Sequence, residues 1–148
     1  MPSKSGQGSG APERFRVLVV DDSPSIRRLV VEKLQTMDLD ITEASSAEEA
    51  LDLTLDHTFD LVVSDVEMDA ITGVQFCRVL RGDPGMADIA FMLLTAATGA
   101  QSRFWGRNAG ADVYLSKEEM DDKLVPAVRE LLEGRSPRKS RVPELKGT

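Results

Sequence analysis

Short apolar runs separated by polar, helix-like stretches are the dominant pattern along this chain. Runs of about four to eight apolar and β-branched residues, bounded by polar ones, indicate buried β-strands. Five such runs occur, at residues 15–20, 39–44, 60–65, 89–94 and 113–116. The second run alternates apolar and polar positions, as a short strand does, whereas the first, third and fourth are nearly continuous. The pattern therefore predicts five strands.

Apolar residues at helical spacing fill the first three intervals between these runs. Ser23 and Pro24 provide an N-cap and a first-turn proline for the first helix. The sequence Ser-Ala-Glu-Glu at residues 46–49 has the form of a capping box and begins the second. The glycines and proline of residues 82–85 stop the third. These three predicted helices span about residues 24–37, 47–57 and 73–81.

Two further helices are predicted in the C-terminal half. Residues 101–109 form a weak helix that contains Phe104 and Trp105 and is closed by Gly110. Core packing is expected for one of these aromatic rings, and an exposed Trp105 would mark a partner surface. The last helix carries an apolar stripe and ends at Gly134.

Strands that alternate with helices through the whole body predict βαβ units, and hence a parallel sheet with helices on both faces. Right-handed crossovers favour a doubly wound five-stranded arrangement, an α/β fold of the flavodoxin-like (βα)5 type. We expect a disordered Gly/Ser-rich tail at residues 1–14, a folded domain at 15–134 and a basic tail or linker at 135–148.

Composition narrows the functional classes. The chain has 148 residues, enough for one domain, and a formal net charge of −7, which argues against direct nucleic-acid binding by the folded body. No apolar run approaches the roughly 20 residues that span a bilayer, and the N-terminus lacks a signal peptide, so we expect a cytoplasmic protein without membrane contact. Cys77, the only cysteine, is expected in the core. The basic run from Arg135 to Lys146 is interpreted as a solvated linker, with a lead to another domain or to an acidic partner as the alternative.

Polar residues stand at the carboxyl ends of four predicted strands. They are Asp21, Asp22, Asp65, Thr95 and Lys117. Because the carboxyl ends of parallel strands meet at one edge of the sheet, we expect these side chains to lie together. Three carboxylates at one edge repel one another unless a cation is near. Oxygen ligands without histidine or cysteine favour Mg²⁺, or Mn²⁺, over zinc or copper.

This set of side chains predicts phosphoryl transfer onto a carboxylate. Asp65 would be the nucleophile, while a hydroxyl at Thr95 and an ammonium at Lys117 would stabilise the developing charge. Ala96, next to Thr95, is small enough to leave access to the site. We therefore place Asp65 at the chemical centre.

In the order of their motifs, residues 15–133 resemble the receiver domain of bacterial two-component response regulators, in particular chemotaxis-type regulators. An acidic pair closes the first strand, Asp65 closes the third, and Tyr114 lies three residues before Lys117. The motifs are Val19-Val20-Asp21-Asp22, Val63-Ser64-Asp65-Val66-Glu67-Met68, Leu94-Thr95-Ala96 and the run from Gly110 to Lys117. Each motif alone is weak, but all of them in this order and spacing are specific.

The resemblance implies a phosphorylation switch rather than an enzyme acting on an external substrate. Asp65 would accept a phosphoryl group from a histidine kinase or a phosphotransfer protein. Asp22 would bind Mg²⁺ directly, Asp21 through water, and the backbone carbonyl of Glu67 would complete the metal site. Thr95 and Tyr114 would form the coupled switch pair.

The same resemblance implies how the signal leaves the domain. The face formed by the helix at 101–109, the fifth strand and the final helix would be read by an output domain or a partner protein. It also allows for a homodimer on phosphorylation.

Three positions depart from the family pattern. Glu118 follows Lys117 where a proline is common, so this peptide bond is expected to be trans. Asp69 replaces a usual proline, and Glu67 adds an acid beside the phosphoryl site. We expect Glu67 to pair with Lys117, or to orient or repel a water, and to change the phosphoryl lifetime in a direction the sequence does not give.

Other interpretations remain open from the sequence. A phosphohydrolase that passes through an aspartyl-phosphate is one, although its nucleophile usually follows the first strand. A receiver that signals without phosphate is another. In the simplest alternative, Asp65, Asp21 and Asp22 only cap helices and Lys117 is a solvated lysine. His57 is expected to be exposed.

Overall fold

Five parallel strands form the centre of the computed structural model, which describes residues 14–96 and 108–138. The sheet order is β2-β1-β3-β4-β5, and every neighbouring pair is parallel. The strands are β1 (Phe15–Val20), β2 (Leu39–Ala44), β3 (Leu61–Asp65), β4 (Ala90–Thr95) and β5 (Val113–Ser116). This order confirms the predicted doubly wound α/β sheet. Strand β3 begins one residue later than its apolar run suggested, and β4 is shifted by one residue toward the C-terminus.

In residues 14–96 and 108–138, four α-helices and one 3₁₀ turn have both ends described. The helices are α1 (Pro24–Leu34), α2 (Ala47–Asp56), α3 (Gly73–Arg81) and the C-terminal helix α4 (Met120–Leu132), which the 3₁₀ turn Lys117–Glu119 precedes. Residues 101–107 of the helix predicted at 101–109, with Phe104 and Trp105, lie outside the described residues. In the described ranges, no helix combines the length and apolar character needed to cross a bilayer.

Side-chain caps explain where the helices begin. Ser23 Oγ accepts from Ile26 N at 3.4 Å, so the predicted N-cap of α1 is confirmed. Ser46 caps α2, but Glu49 returns its carboxylate to Ser45 N at 2.7 Å instead of to Ser46. The capping box predicted at residues 46–49 is therefore only half formed. Its second bond, from the Glu49 side chain, goes to the residue before the N-cap.

Two hydrophobic clusters lie on opposite faces of the sheet. Val17 and Val19 of β1 point to the cluster that α1 and α4 cover, whereas Leu18 and Val20 point to the one that α2 and α3 cover. This alternation follows from the two-residue period of a strand. Cys77 is fully buried in the second cluster, as expected. Because both faces are covered, β3 is buried along its whole length, which explains its continuous apolar sequence.

The loop between β3 and α3 is tightly built. A Cβ at Gly73 would lie 2.1 Å from the carbonyl oxygen of Asp65, so only glycine fits there. Ala70 has φ 62°, the left-handed region that an L-residue occupies at a cost. Gly73 N donates to the carbonyl of Val66 at 3.0 Å and closes the loop. The chain that follows Asp65 is therefore held close to it.

At the opposite edge of the sheet, Asp60 connects distant parts of the chain. Its buried carboxylate accepts from the backbone N–H of Arg16 and of Arg138, each at 2.8 Å. The Arg138 guanidinium donates to Asp88 at 2.9 Å and to the carbonyl of Gly85 at 3.2 Å. We call residues 135–138 the C-terminal strap.

The strap differs from the solvated linker that its composition suggested. Arg135 donates to the carbonyl of Asp88 at 3.1 Å, so both strap arginines contact the segment before β4. Arg135 and Ser136 are exposed, as a solvated segment would be, whereas Arg138 is held by Asp60 and Asp88. Residues 139–148 lie outside the described part of the chain.

Candidate functional site

Three aspartates meet at the carboxyl edge of the sheet. Asp21 and Asp22 follow β1, and Asp65 ends β3, which is paired directly with β1. One carboxylate oxygen from each lies within 4.8 Å of the others. Asp21 and Asp65 are buried, at 2% and 3% exposure, whereas Asp22 is exposed. The strand order thus brings together the acids that the sequence placed at one edge.

Two buried oxygens of this group lack a hydrogen-bond donor among the described residues. They are Asp21 Oδ2 and Asp65 Oδ1. The other Asp21 oxygen accepts from Ser23 N at 2.8 Å. Leaving buried carboxylate oxygens without donors is costly unless a cation faces them. An all-oxygen cluster of this kind suits a hard divalent cation such as Mg²⁺.

Lys117 is a cation of the chain that faces two of these acids, and Arg27 donates to the backbone carbonyl of Asp21 at 2.7 Å. Its Nζ lies 3.1 Å from Asp65 Oδ1 and 3.9 Å from Asp21 Oδ2. Within the described ranges every peptide bond is trans, including Lys117–Glu118, as expected from the missing proline. Lys117 is therefore not a solvated surface lysine.

The start of the 3₁₀ turn sets the position of Lys117. The Glu119 carboxylate accepts from Ser116 N at 3.0 Å and from Ser116 Oγ at 3.2 Å. Both bonds fix the backbone immediately before the lysine. The turn then continues into α4, whose residues pack against the sheet.

Burial and neighbouring charge shift the pKa values of two acids of the site, Asp21 and Asp65. Burial, followed by the negative charge of Asp21, raises the pKa of Asp65 to about 6, and Lys117 opposes this shift. Burial also raises the pKa of Asp21, against the Ser23 backbone bond and the charge of Lys117. Lys117 alone thus does not compensate for the two buried acids. A second positive charge would lower both values.

Glu67 does not pair with Lys117, contrary to one of the alternatives drawn from the sequence. Its carboxylate instead accepts from Thr95 Oγ1 at 2.6 Å and from Ala96 N at 3.3 Å. Thr95 is fully buried at the end of β4, whereas Ala96 and the Glu67 side chain are exposed. The bond could not be seen from sequence spacing, because it depends on how the chain runs after Asp65.

Tyr114 lies on β5, opposite Leu93 of β4. It is half-buried and packs against the cluster under α2 and α3. Its proposed coupling to Thr95 stays a prediction. Of the face expected to carry the signal, β5 and α4 are described, whereas most of the helix predicted between β4 and β5 is not.

Arg81 and Asp112 are positioning residues that the sequence analysis missed. Arg81 donates to the carbonyls of Gly110 at 2.9 Å, Ala87 at 2.8 Å and Ile89 at 2.6 Å, and to Asp112 at 3.1 Å. Asp112 also accepts from Phe91 N at 2.8 Å. These bonds hold the residues before β5 against β4, and Lys117 directly follows β5. Since most partners are backbone atoms, no residue pattern would reveal them.

His57 is exposed, as expected, and its ring lies 6.3 Å from that of Phe59. It is far from the acidic cluster in the fold, because it follows α2 at the opposite edge of the sheet. We assign it no chemical role.

Comparison with known proteins identifies relatives of this arrangement. Response regulator MprA of Mycobacterium sp. (strain KMS) is 37% identical over 124 residues, which are 82% of this chain and 52% of that protein. The gliding motility regulatory protein of Myxococcus xanthus is 34% identical over 110 residues, 74% of this chain and 14% of that protein. The chain thus spans about half of MprA and a small part of the Myxococcus protein.

A solved structure extends the likeness to the fold. The chemotaxis response regulator CheY4 of Vibrio cholerae has a TM-score of 0.75 and 30% identity, covering 81% of this chain and 100% of that one. The family model described as the response regulator receiver domain matches residues 17–129. Because that match runs from β1 into α4 and includes each residue of the acidic edge, the chain belongs to the response regulator receiver domain family.

Proposed function

We propose that this receiver domain accepts a phosphoryl group on Asp65 from the phosphohistidine of a histidine kinase or a phosphotransfer protein. The observation that carries the proposal is the buried Asp65 Oδ1, which lies 3.1 Å from Lys117 Nζ and faces two further aspartates. A carboxylate in this position has a nucleophilic oxygen with a cation adjacent to it.

The transfer step needs no base within the site. An Asp65 carboxylate oxygen forms a bond to phosphorus while the phosphorus–nitrogen bond of the donor breaks. The electron pair of that bond returns to the imidazole, which takes a proton from solvent. With a pKa of about 6, Asp65 is mostly ionised at neutral pH and is ready to attack.

Three groups of this chain would stabilise the product. Lys117 supplies an ammonium beside Asp65. The Thr95 hydroxyl and the Ala96 N–H are donors at the end of the adjacent strand β4. Phosphoryl oxygens are strong acceptors for such donors, and the bonds are charge-assisted.

A divalent cation, Mg²⁺ or Mn²⁺, fits the acidic edge. Asp21, Asp22 and Asp65 would hold it, with the backbone carbonyl of Glu67 as a further oxygen ligand. When bound, the cation would supply positive charge that offsets both the acids and the incoming phosphoryl oxygens. The two buried oxygens without donors support this assignment.

The output would be a change of surface. Thr95 would move its hydroxyl toward the phosphoryl group, and Tyr114 would turn inward behind it. The face that includes β5 and α4 would then bind an output domain, a partner protein or a second copy of the domain. In this proposal the domain catalyses only its own phosphorylation and dephosphorylation.

Intact mass spectrometry tests the assignment of Asp65. Incubation with acetyl phosphate and Mg²⁺ should add one phosphoryl group to the parent protein and none to Asp65→Asn. Asp69→Asn, which removes an exposed acid from the same loop, is the matched control and should be labelled like the parent. Labelling of Asp65→Asn would refute the assignment. Continuous release of phosphate from a generic phosphate ester would support a phosphohydrolase instead.

A further inference from the structure

Glu67 occupies two hydrogen-bond donors at the end of β4. Its Oε2 accepts from Thr95 Oγ1 at 2.6 Å, and its Oε1 accepts from Ala96 N at 3.3 Å. The side chain reaches these donors because Val66 N continues the sheet pairing with the carbonyl of Leu94 at 2.8 Å. The chain after β3 therefore runs beside the chain after β4.

The proton of Thr95 makes this contact exclusive. A threonine hydroxyl has one O–H to donate, so it can serve one acceptor at a time. A bond at 2.6 Å to a carboxylate is short and charge-assisted. Any other anion that needs the Thr95 proton must first displace Glu67.

A phosphoryl group on Asp65 would be such an anion. Asp65 pairs with Leu94 in the sheet, next to Thr95. Two anions that seek the same hydroxyl and amide also repel each other. Lys117 is not available to neutralise Glu67, since it lies against Asp65 and Asp21.

We propose that Glu67 is an internal competitor of the phosphoryl group, which holds Thr95 and Ala96 in the unphosphorylated state and makes activation harder. The second half of this inference, the competition with a phosphoryl group, rests on the proposed function. Its first half, the clamp on Thr95 and Ala96, concerns the unphosphorylated protein alone. Glu67 is thus a positioning residue that acts through Thr95.

Three substitutions separate the clamp from simple charge. Glu67→Ala removes both the acceptor and the charge, and Glu67→Gln keeps an acceptor of the same reach without the charge. Glu67→Asp keeps the charge but shortens the side chain by one methylene. If the hydrogen bonds matter, Glu67→Asp should behave like Glu67→Ala; if only repulsion matters, it should behave like the parent.

Two measurements follow. In the unphosphorylated protein without metal, NMR should show the Thr95 and Ala96 amide resonances shifted in Glu67→Ala and Glu67→Asp, less so in Glu67→Gln, and unmoved in the control Asp69→Ala. In the presence of Mg²⁺, titration with beryllofluoride should reach its midpoint at about tenfold lower concentration in Glu67→Ala than in the parent, the scale of one lost charge-assisted hydrogen bond.

The outcomes that overturn the inference are distinct from those that overturn the proposed function. Unmoved resonances in Glu67→Ala overturn the clamp. An unchanged or higher beryllofluoride midpoint in Glu67→Ala overturns the competition. If the parent binds no beryllofluoride and takes no label from acetyl phosphate, the proposed function and the competition both fail, while the resonances still decide on the clamp.

Discussion

Asp65 has two opposing requirements at the scale of the single residue. For the phosphoacceptor role that we propose, Asp65 would have to be buried in order to be shielded and held, and ionised in order to attack. The structure meets both by placing Lys117 3.1 Å away and by leaving the pKa of Asp65 at about 6. The consequence is a buried negative charge that opposes folding until a further cation compensates for it.

This conflict predicts a pH dependence of stability in metal-free protein. The pKa of Asp65 is about 6 in the folded protein, against 3.8 for a solvated aspartate, so the folded state binds more protons between these values. Its contribution to stability is therefore full below about 4, and is lost as the pH rises through 6. The shift corresponds to roughly 3 kcal/mol.

The thermal midpoint in a chelating buffer measures this effect. Asp65→Asn should be more stable than the parent at pH 7.5, by a few degrees, and the difference should shrink as the pH falls toward 4. Asp69→Asn should follow the parent at every pH. A difference that stays constant across this range would contradict the raised pKa.

How far the sequence predicts a site depends on where its contacts come from. Asp21, Asp22, Asp65, Thr95 and Lys117 were placed correctly at one edge, since parallel strands bring their ends together. The hydrogen-bond partners of Glu67 were not predicted, because a side chain with three rotatable bonds on an irregular segment can reach several donors. Local sequence gives the edge on which a residue lies, but not the atom that it contacts.

At the scale of the element, the loop from β3 to α3 holds the site in place. Two residues shape it, Ala70 and Gly73. Gly73 suits its backbone position, whereas Ala70 does not. Gly73 is required, since a Cβ would lie 2.1 Å from the Asp65 carbonyl oxygen. Ala70 is strained, since it adopts φ 62°.

The pair gives opposite expectations for substitution. Ala70→Gly should stabilise the protein by about 1 kcal/mol, because glycine adopts this conformation without strain and the exposed methyl group packs little. Gly73→Ala should destabilise it by several kcal/mol and disturb the loop after Asp65. Urea unfolding measures both. Ala87→Gly, at a position without positive φ, is the control and should not stabilise.

The C-terminal strap is an element that composition concealed. Its basic residues suggested solvation, but its contacts are made by the Arg138 backbone and by two guanidinium groups. Asp60 and Arg138 are 78 positions apart, and their bond has no sequence signature. The strand bounds, by contrast, were predicted to within one residue. Strands that are buried on both faces have nearly continuous apolar sequences, which are easy to recognise.

Removal of the strap should cost measurable stability. A chain truncated after Gly134 loses the Arg138 donor to buried Asp60, and we expect a loss of about 1–2 kcal/mol. Arg138→Ala keeps the backbone bond and should lose less. Hydrogen exchange at Arg16 N, which shares Asp60, should speed up in the truncated chain only. Equal stability of both forms would show that the strap contributes nothing.

At the scale of the whole molecule, cation binding and folding are linked. A ligand that binds only the folded state raises its stability by mass action. Mg²⁺ should therefore raise the thermal midpoint of the parent protein. Asp22→Asn should abolish most of this rise without harming the fold, since Asp22 is exposed. Glu48→Gln removes an equal charge from an exposed position of α2, and its thermal midpoint should respond to Mg²⁺ like that of the parent.

This prediction separates a specific site from general screening of an acidic protein. With a net charge of −7, the chain gains some stability from any salt. The same ionic strength supplied as NaCl should raise the midpoint of all three proteins equally. If Asp22→Asn and the parent respond alike to Mg²⁺, the acidic edge does not hold the cation.

The carboxylate of Asp60 also brings the two ends of the described chain close to each other. Arg16 near the start and Arg138 at the end each place a backbone nitrogen 2.8 Å from it, on neighbouring oxygens. A short flexible linker could join residues 14 and 138 without distorting the sheet, and a break at the exposed turn Pro84–Gly85 would open the chain elsewhere. The domain is in this sense a candidate for circular permutation, because its acidic edge lies at the opposite end of the strands from the joined ends and from the new break.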